Sequence, residues 1–413
     1  MSRRAALSLL PAATLAACAG GGRAPGTLKM WAMSYEGDYS PWLMTSFTQA
    51  TGIPVEVQSL PWTAAHEKLL TAQAGDELPD VLMLPNGWVA EFAMIGAIAP
   101  VTRPALIDGI FPEVVDTVRY AGRPYAVPWS VAPQVQFYRR DLLAQAGYDA
   151  PPADWVAWRR MGQALKRRRP DDYAVLLYLN WPDALFTFAG QVAPPPLRDR
   201  DTRGDFRTPA FRAALSFYKS LFDDGLAPKA LSTELQDPVA AFANGYFAIY
   251  PYGPTLLLDL RRRAAEIPAP RWAVARMPGP HGPAPVSATS ASLCVSARSR
   301  HPEAAWALVR HLTSTPSELR FQELIGNLPA RVAAWDTPAM QRPTLGAFAA
   351  QMRDVAPNPK LVEWERIRLE VQIIAERVVR GIQTIDEGLV AMNTRVDALL
   401  AKRRVLVEAG RIA

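Results

Sequence analysis

Residues 122–155, GRPYAVPWSVAPQVQFYRRDLLAQAGYDAPPADW, decide how the rest of the chain is read. They open on Gly122 and a turn through Arg123-Pro124, followed by a short apolar run, 125–127. Pro128 and Pro133 each lack the N–H that an interior ladder needs, so this run reads as something other than an ordinary central strand. A second run, 134–138, alternates polar and apolar side chains as a β-strand does. Arg139-Arg140-Asp141 starts a helix, 146–149 ends it, and Pro151-Pro152 with Asp154 begin another. The stretch reads as a strand leaving one compact unit and a strand entering a second.

The composition fits two units. At 413 residues the chain exceeds what one hydrophobic core usually serves. Apolar residues at 49% and charged residues at 20% describe a globular protein, not a disordered one. Thirty-eight prolines against 25 glycines point to stiff, well-punctuated loops. The net charge of +6 falls to +4 (43 basic against 39 acidic residues) if Arg3 and Arg4 leave with a leader. That is too small and too scattered for nucleic acid. The dense basic run, Lys166-Arg167-Arg168-Arg169, closes a predicted helix, where cations favour the dipole.

At the N-terminus, Met1-Ser2-Arg3-Arg4 is basic, 5–17 is apolar, and Leu15-Ala16-Ala17-Cys18 closes the segment. It is too short to span a bilayer and fits a signal peptide. Leu-Ala-Ala-Cys resembles the bacterial lipobox, which implies a leader of 1–18, a lipid on Cys18 and a tether over 19–26. Ordinary leader cleavage with an idle Cys18 is the alternative, and the general and twin-arginine export routes both stay open. With Cys18 acylated, Cys294 is alone in the apolar run 291–295, a buried and unreactive thiol. No disulfide framework and no metal-spaced cysteine pair follows.

From Thr27 the pattern is strand, helix, strand. Runs 28–32, 55–58 and 78–84 read as strands, with helices from Pro41 to about Ala50 and over 62–74, and an aromatic, acidic loop over 34–40. Alternation of this kind implies a largely parallel, doubly wound sheet. After the crossover, 155–169 is a helix and 173–179 a strand, and Asn180-Trp181-Pro182-Asp183 leads into a further helix. Phe211, Ala214, Leu215, Tyr218, Leu221 and Phe222 fall at helical spacing behind Thr208-Pro209. Runs 272–275 and 293–295 read as strands returning to the first unit. Thr384 and Glu387 have the spacing of a capping box.

The order of these pieces resembles the extracellular solute-binding proteins of ABC importers, the maltose-binding-like group. The resemblance is carried by 122–128, by Phe137-Tyr138-Arg139-Arg140-Asp141-Leu142-Leu143, by Ala146-Gly147, Pro151-Pro152 and Asp154-Trp155, and by the Pro79-Asp80-Val81 strand. The segments 242–254 and 301–306 add to it. It implies an α/β, two-lobed periplasmic-binding-protein fold of type II, each lobe a mixed, largely parallel sheet flanked by helices, with the ligand between the lobes. Residues 27–132 and 256–312 would form the first lobe and 133–255 with 313–413 the second. Hinges would lie at 130–133 and 253–257. The implied function is capture of a carbohydrate outside the cytoplasmic membrane by a lipid-anchored monomer that delivers it to an ABC permease. No cofactor, no metal and no catalysis are implied.

Candidate ligand contacts follow from where aromatic and polar residues fall. Ligands of open α/β sheets bind beyond the C-terminal ends of strands. There an indole or phenol offers a flat face to sugar C–H groups while amides and carboxylates take the hydroxyls. On this ground and on the resemblance, the expected set is Tyr35, Glu36, Asn86, Trp88, Trp129, Asn180, Trp181, Asp183, Tyr252, Gly253, Arg331 and Trp364, with Asn327 near Arg331. Trp31, Trp42, Trp62, Trp158, Trp272 and Trp306 read as core. The group's usual tryptophan after the Gly-Pro turn is Thr255 here, which alters the shape of the site. No Gly-x-Ser-x-Gly elbow or Cys/His arrangement is present. A glycan-acting enzyme built on paired carboxylates among Glu36, Asp38, Asp183 and Glu363 is the alternative of another class. The same fold binding glycerol phosphate, a polyamine or an iron chelate is the third reading, with Arg331 the one candidate phosphate partner.

Overall fold

The computed structural model describes residues 26–287, 290–356 and 358–411; the leader, Cys18 and residues 19–25 of the expected tether lie outside the described residues. Ten strands build two sheets: β1 Leu28–Met33, β2 Val55–Leu60, β3 Val81–Pro85, β4 Val127–Val131, β5 Val135–Arg139, β6 Tyr173–Val175, β7 Phe247–Tyr252, β8 Trp272–Ala275, β9 Ser290–Val295 and β10 Leu328–Pro329. The first sheet has the order β10-β4-β9-β3-β1-β2 and the second β8-β5-β7-β6. Short two-residue ladders lie outside both.

The first sheet begins as the sequence dictates. In β1, Leu28, Met30 and Ala32 are fully buried while Lys29 and Trp31 between them are not, the period of two expected of a half-buried strand. β2 and β3 flank β1 in parallel, each reached through a helix. Beyond β3 the direction reverses: β9 runs antiparallel to β3 and β4, and β10 antiparallel to β4. In the second sheet β6 and β7 are parallel, whereas β5 runs antiparallel to β7 and β8. Both sheets are mixed, as the resemblance implied: β1, β2, β3 and β4 run one way against β9 and β10, and β6, β7 and β8 run one way against β5.

The chain passes from the first sheet to the second between β4 and β5. Val131 pairs with Ser290 and Leu328 in the first sheet, and Val135 pairs with Tyr252 in the second, leaving only Ala132, Pro133 and Gln134 between. The expectation that Pro128 bars a central strand is overturned. β4 lies between β9 and β10, and the register shifts between Ala291 and Ser292, opposite Pro128. A bulge of this kind accommodates a residue that has no N–H to give.

Two placements differ from expectation. Trp272–Ala275 joins the second sheet, not the first: Val274 lies opposite Phe137, and the Trp272 ring is 6.1 Å from that of Phe137. The segment 315–329, expected in the second lobe, packs with the first. From the helix Thr315–Ile325, Phe321 stacks on Trp129 of β4 at 4.3 Å and 11°, and β10 then pairs with β4. Such a stacked pair contributes about 0.5–1.5 kcal/mol beyond its buried area.

Local signals elsewhere held. The helix Pro209–Asp223 buries Phe211, Ala214, Leu215, Tyr218, Leu221 and Phe222, and Thr208 caps it. Thr384 and Glu387 form the capping box. Cys294 is a free, fully buried thiol. Residues Ser34–Tyr39 are a short helix, not the expected loop. A Cβ at Gly37 would come within 2.7 Å of the Ala32 carbonyl oxygen and the Ser59 Cα, so only glycine lets this helix sit so close on the strand ends. That close seat carries Glu36 inward, to 8% exposure.

Candidate ligand-binding site

The C-terminal ends of β1 and β2 in the first sheet, and the residues beyond β6 and at the end of β7 in the second, open onto one cleft of about 530 Å3. That volume is within the range of about 300–1,000 Å3 usual for small-molecule sites. The helix Ser34–Tyr39 brings Ser34, Tyr35 and Glu36, and Trp62 stands at the start of the helix after β2. Trp181, Asp183 and Thr187 come from the segment beyond β6, and Tyr252 and Gly253 from the end of β7. Gln134 comes from the crossover itself, and Asn327 and Asp259 complete the polar wall.

A larger groove of about 740 Å3 lies at the opposite end of the first sheet, beside Thr27 and the residues leading into β3. Some of its charged groups are engaged: Arg298 with Asp76 at 3.0 Å, and Asp80 with Ser299 Oγ at 2.6 Å and the Lys29 backbone N–H at 3.0 Å. The strand-end rule and the convergence of both sheets favour the smaller cleft.

The cleft's aromatic walls come from both lobes. Trp62 is 45% and Trp181 36% exposed. Trp181 is held from behind by Tyr178, at 4.8 Å, and stands beside Tyr252 at 6.3 Å with a tilt of 34°. Trp62 is backed by Trp88, at 6.4 Å, which itself packs on His66 at 4.7 Å. Between these walls the polar groups are mutually ordered. Tyr35 donates to Asp259 Oδ1 at 2.9 Å, and Asn327 Nδ2 donates to Glu36 Oε1 at 2.7 Å. Asp183 pairs with Arg368, which also reaches Glu365 at 3.0 Å.

Burial governs how these groups titrate. Desolvation raises Glu36 above the usual carboxylate value, and the Asn327 hydrogen bond only partly offsets it. Burial likewise raises Asp259, against the opposing hydrogen bond from Tyr35. The Tyr35 phenol is pushed up to about 12, by burial first and then by Asp259. Burial and the surrounding carboxylates also raise Tyr252. Both phenols therefore stay neutral donors.

Of the residues expected at the site, the structure brings together Tyr35, Glu36, Trp181, Asp183, Tyr252 and Gly253, with Asn327 beside them. The others are elsewhere. Trp129 is 1% exposed, in a strand whose five residues are all buried. Asn86 is buried, donating to Thr117 and accepting from Ser292 Oγ at 2.7 Å. Trp88 serves as the prop behind Trp62. Asn180 is tied to Ser232, its amide donating to the hydroxyl and its carbonyl accepting from the backbone, each at 2.9 Å. Arg331 donates to the carbonyls of Thr313, Asp108 (2.8 Å) and Leu106 (3.2 Å), so it fastens loops of the first lobe. Trp364 is 4% exposed and lines a neighbouring pocket.

Trp62, Gln134, Thr187 and Asp259 were missed. Trp62 had been read as core, although it directly follows a strand's C-terminal end, the signal that found Trp181. Trp42, also read as core, is 68% exposed.

Comparisons with known proteins agree with this geometry. The sequence profile described as bacterial extracellular solute-binding protein matches residues 42–348. The structure of the sugar-binding protein MalE from the phytopathogen Xanthomonas citri is 39% identical, covers 92% of this chain and 99% of its own, and superposes with a TM-score of 0.85. The GacH receptor of Streptomyces glaucescens, solved unliganded and with acarbose, shares the fold at 23% identity and a TM-score of 0.83, over 91% of this chain and 98% of its own. A probable ABC transporter-binding protein of Deinococcus radiodurans is 25% identical over 281 residues, 62% of this chain and 63% of its own. With its two mixed sheets and the cleft between them, this chain belongs to the family of bacterial extracellular solute-binding proteins.

Proposed function

We propose that the protein captures a carbohydrate in the cleft between its lobes and delivers it to the permease of an ABC importer. The observation that carries this reading is the lining itself. Two exposed indoles, Trp62 and Trp181, one from each lobe, stand over amide, hydroxyl and carboxyl groups, and among the described residues no lysine, arginine or histidine lines the cleft. Indole faces suit sugar C–H surfaces, and the polar groups suit hydroxyls that both donate and accept. A phosphorylated ligand would need cations that the described residues of the cleft do not supply, and Arg331 is spent on backbone carbonyls. A polyamine would need ionised carboxylates, whereas Glu36 and Asp259 resist ionisation and Asp183 is paired. Of the carboxylates named for the hydrolase reading, Asp38 and Glu363 do not line the cleft, while Glu36 and Asp183 do but are engaged by Asn327 and Arg368. Transport fits a hinge at 130–133 and 253–257, with ligand stabilising the closed arrangement.

The family is extracellular, so the protein is exported. A lipid on Cys18 would hold it at the membrane, and recovery of full-length protein in the membrane fraction, lost on Cys18→Ser, tests that anchor.

Thermal unfolding against a panel of mono-, di- and trisaccharides tests the main reading. A bound sugar at 100 times its dissociation constant adds about 2.7 kcal/mol, and the sugar should be recovered intact. Trp181→Ala should weaken binding about tenfold, or about 1.4 kcal/mol, with little change in unliganded stability. Trp129→Ala should do the reverse, losing about 3–5 kcal/mol of stability and leaving the folded protein's affinity unchanged. Flat curves with every sugar would contradict the reading, and turnover of a glycan would replace it with the enzyme.

Glu36 supplies a pH test. The unfolded chain ionises this group near 4.5, and burial raises the folded value above that. As pH rises through that window the unfolded state loses its proton first, so the group progressively disfavours the folded state. Glu36→Gln removes this cost. Its stability relative to the parent protein should climb from about pH 4.5 toward neutrality while sugar affinity drops. A gap that stays constant with pH would contradict the assignment.

A further inference from the structure

Asp183 lines the cleft, but the group that holds its carboxylate does not. Asp183 is the first residue of the helix Asp183–Gly190, and its side chain is 49% exposed. Burial, Asp259 and then Asp183 raise the Tyr252 phenol, so the Asp183 carboxylate lies within electrostatic reach of another residue of the lining. Its partner is Arg368, on the helix Trp364–Val379.

Arg368 is held on several sides. Its Nη2 donates to Asp183 Oδ1, and its Nη1 donates to Glu365 Oε2 at 3.0 Å. Glu365 stands one turn earlier on the same helix. The guanidinium also lies over the Phe186 ring at 5.9 Å, and that ring packs against Trp364 at 5.3 Å. Ile367 and Val371 of one helix and Leu185 and Phe188 of the other are buried in a single core. The two helices are thus one packed unit of the second lobe, and the bond between Arg368 and Asp183 is made inside that unit.

A carboxylate at the start of a helix has another seat open to it, against the helix's own unbonded N–H groups. Arg368 holds Oδ1 in place against that alternative. Ion pairs with a partner this exposed add little to stability, so the effect of the bond lies in where it leaves the other oxygen. Among the described residues Asp183 Oδ2 accepts no hydrogen bond. An ionised carboxylate only accepts, which suits a hydroxyl donor.

We propose that Arg368 is a positioning residue for ligand capture: it fixes one oxygen of Asp183 so that the other meets a sugar hydroxyl. This deepens the carbohydrate reading above and rests on it. Arg368 acts through Asp183 and touches no ligand itself.

Titration calorimetry with the sugar that stabilises the protein most tests this through a double-mutant cycle. Arg368→Met should weaken binding about fivefold, since the sugar must then order Asp183 itself. In an Asp183→Asn background the same change should cost less than about twofold, because no carboxylate is left to hold. Arg368→Lys keeps a charged donor without the planar fork and should bind about threefold tighter than Arg368→Met. Arg368→Gln replaces Arg368→Met if that variant does not fold. Parent-like affinity in a folded Arg368 variant overturns the proposal and leaves the carbohydrate reading intact. So does a loss that persists undiminished beside Asp183→Asn, or one that lysine does not repair. Failure of the parent protein to bind any sugar overturns the carbohydrate reading and this inference with it.

Discussion

Only Ala132, Pro133 and Gln134 separate a residue paired in the first sheet from one paired in the second. That constraint shapes everything around it. Two sheets joined by so short a link must lie close, with the ends of their strands turned toward a common space. The chain then has to return, and β9, which follows β8 of the second sheet, runs against the parallel order begun by β1, β2 and β3. Mixed sheets and a cleft bounded by both lobes follow from the same short crossing. Gln134 belongs at once to the link and to the cleft, so the site is attached directly to the element that would move.

The chemistry of the cleft depends on how its carboxylates are managed. Glu36 is carried inward by a helix that Gly37 alone allows so close to the strand ends. Once buried, it resists ionisation and is answered by Asn327. Asp259 resists ionisation as well and is answered by Tyr35. A wall of this kind is polar without being strongly charged, which suits neutral polyols better than ions.

Much of this was legible in the sequence because it is local. A period of two marked β1, helical spacing marked Pro209–Asp223, and Thr384 with Glu387 marked a cap. Residues placed at strand ends, such as Tyr35, Glu36, Trp181, Asp183 and Tyr252, reached the cleft. What failed was long-range. Alternation identifies Trp272–Ala275 as a strand but does not say which sheet it joins. Nothing near Leu328 announces that it pairs with Val131, some two hundred residues earlier. Trp129 misled because β4 is buried on both faces, so no polar alternation distinguishes a core indole from a ligand platform. Arg331 misled because a guanidinium's partners can all be backbone carbonyls, which carry no sequence signature. Trp62 was overlooked although the rule that found Trp181 applied to it equally.

Ligand bound between the two lobes should draw them together. Small-angle X-ray scattering of the protein, free and saturated with the sugar that stabilises it most, tests that claim most directly. A smaller radius of gyration in the saturated protein, with the pair-distance distribution shortened at its long end, is the predicted result. Identical curves at proven saturation would contradict it and would make the cleft a rigid site.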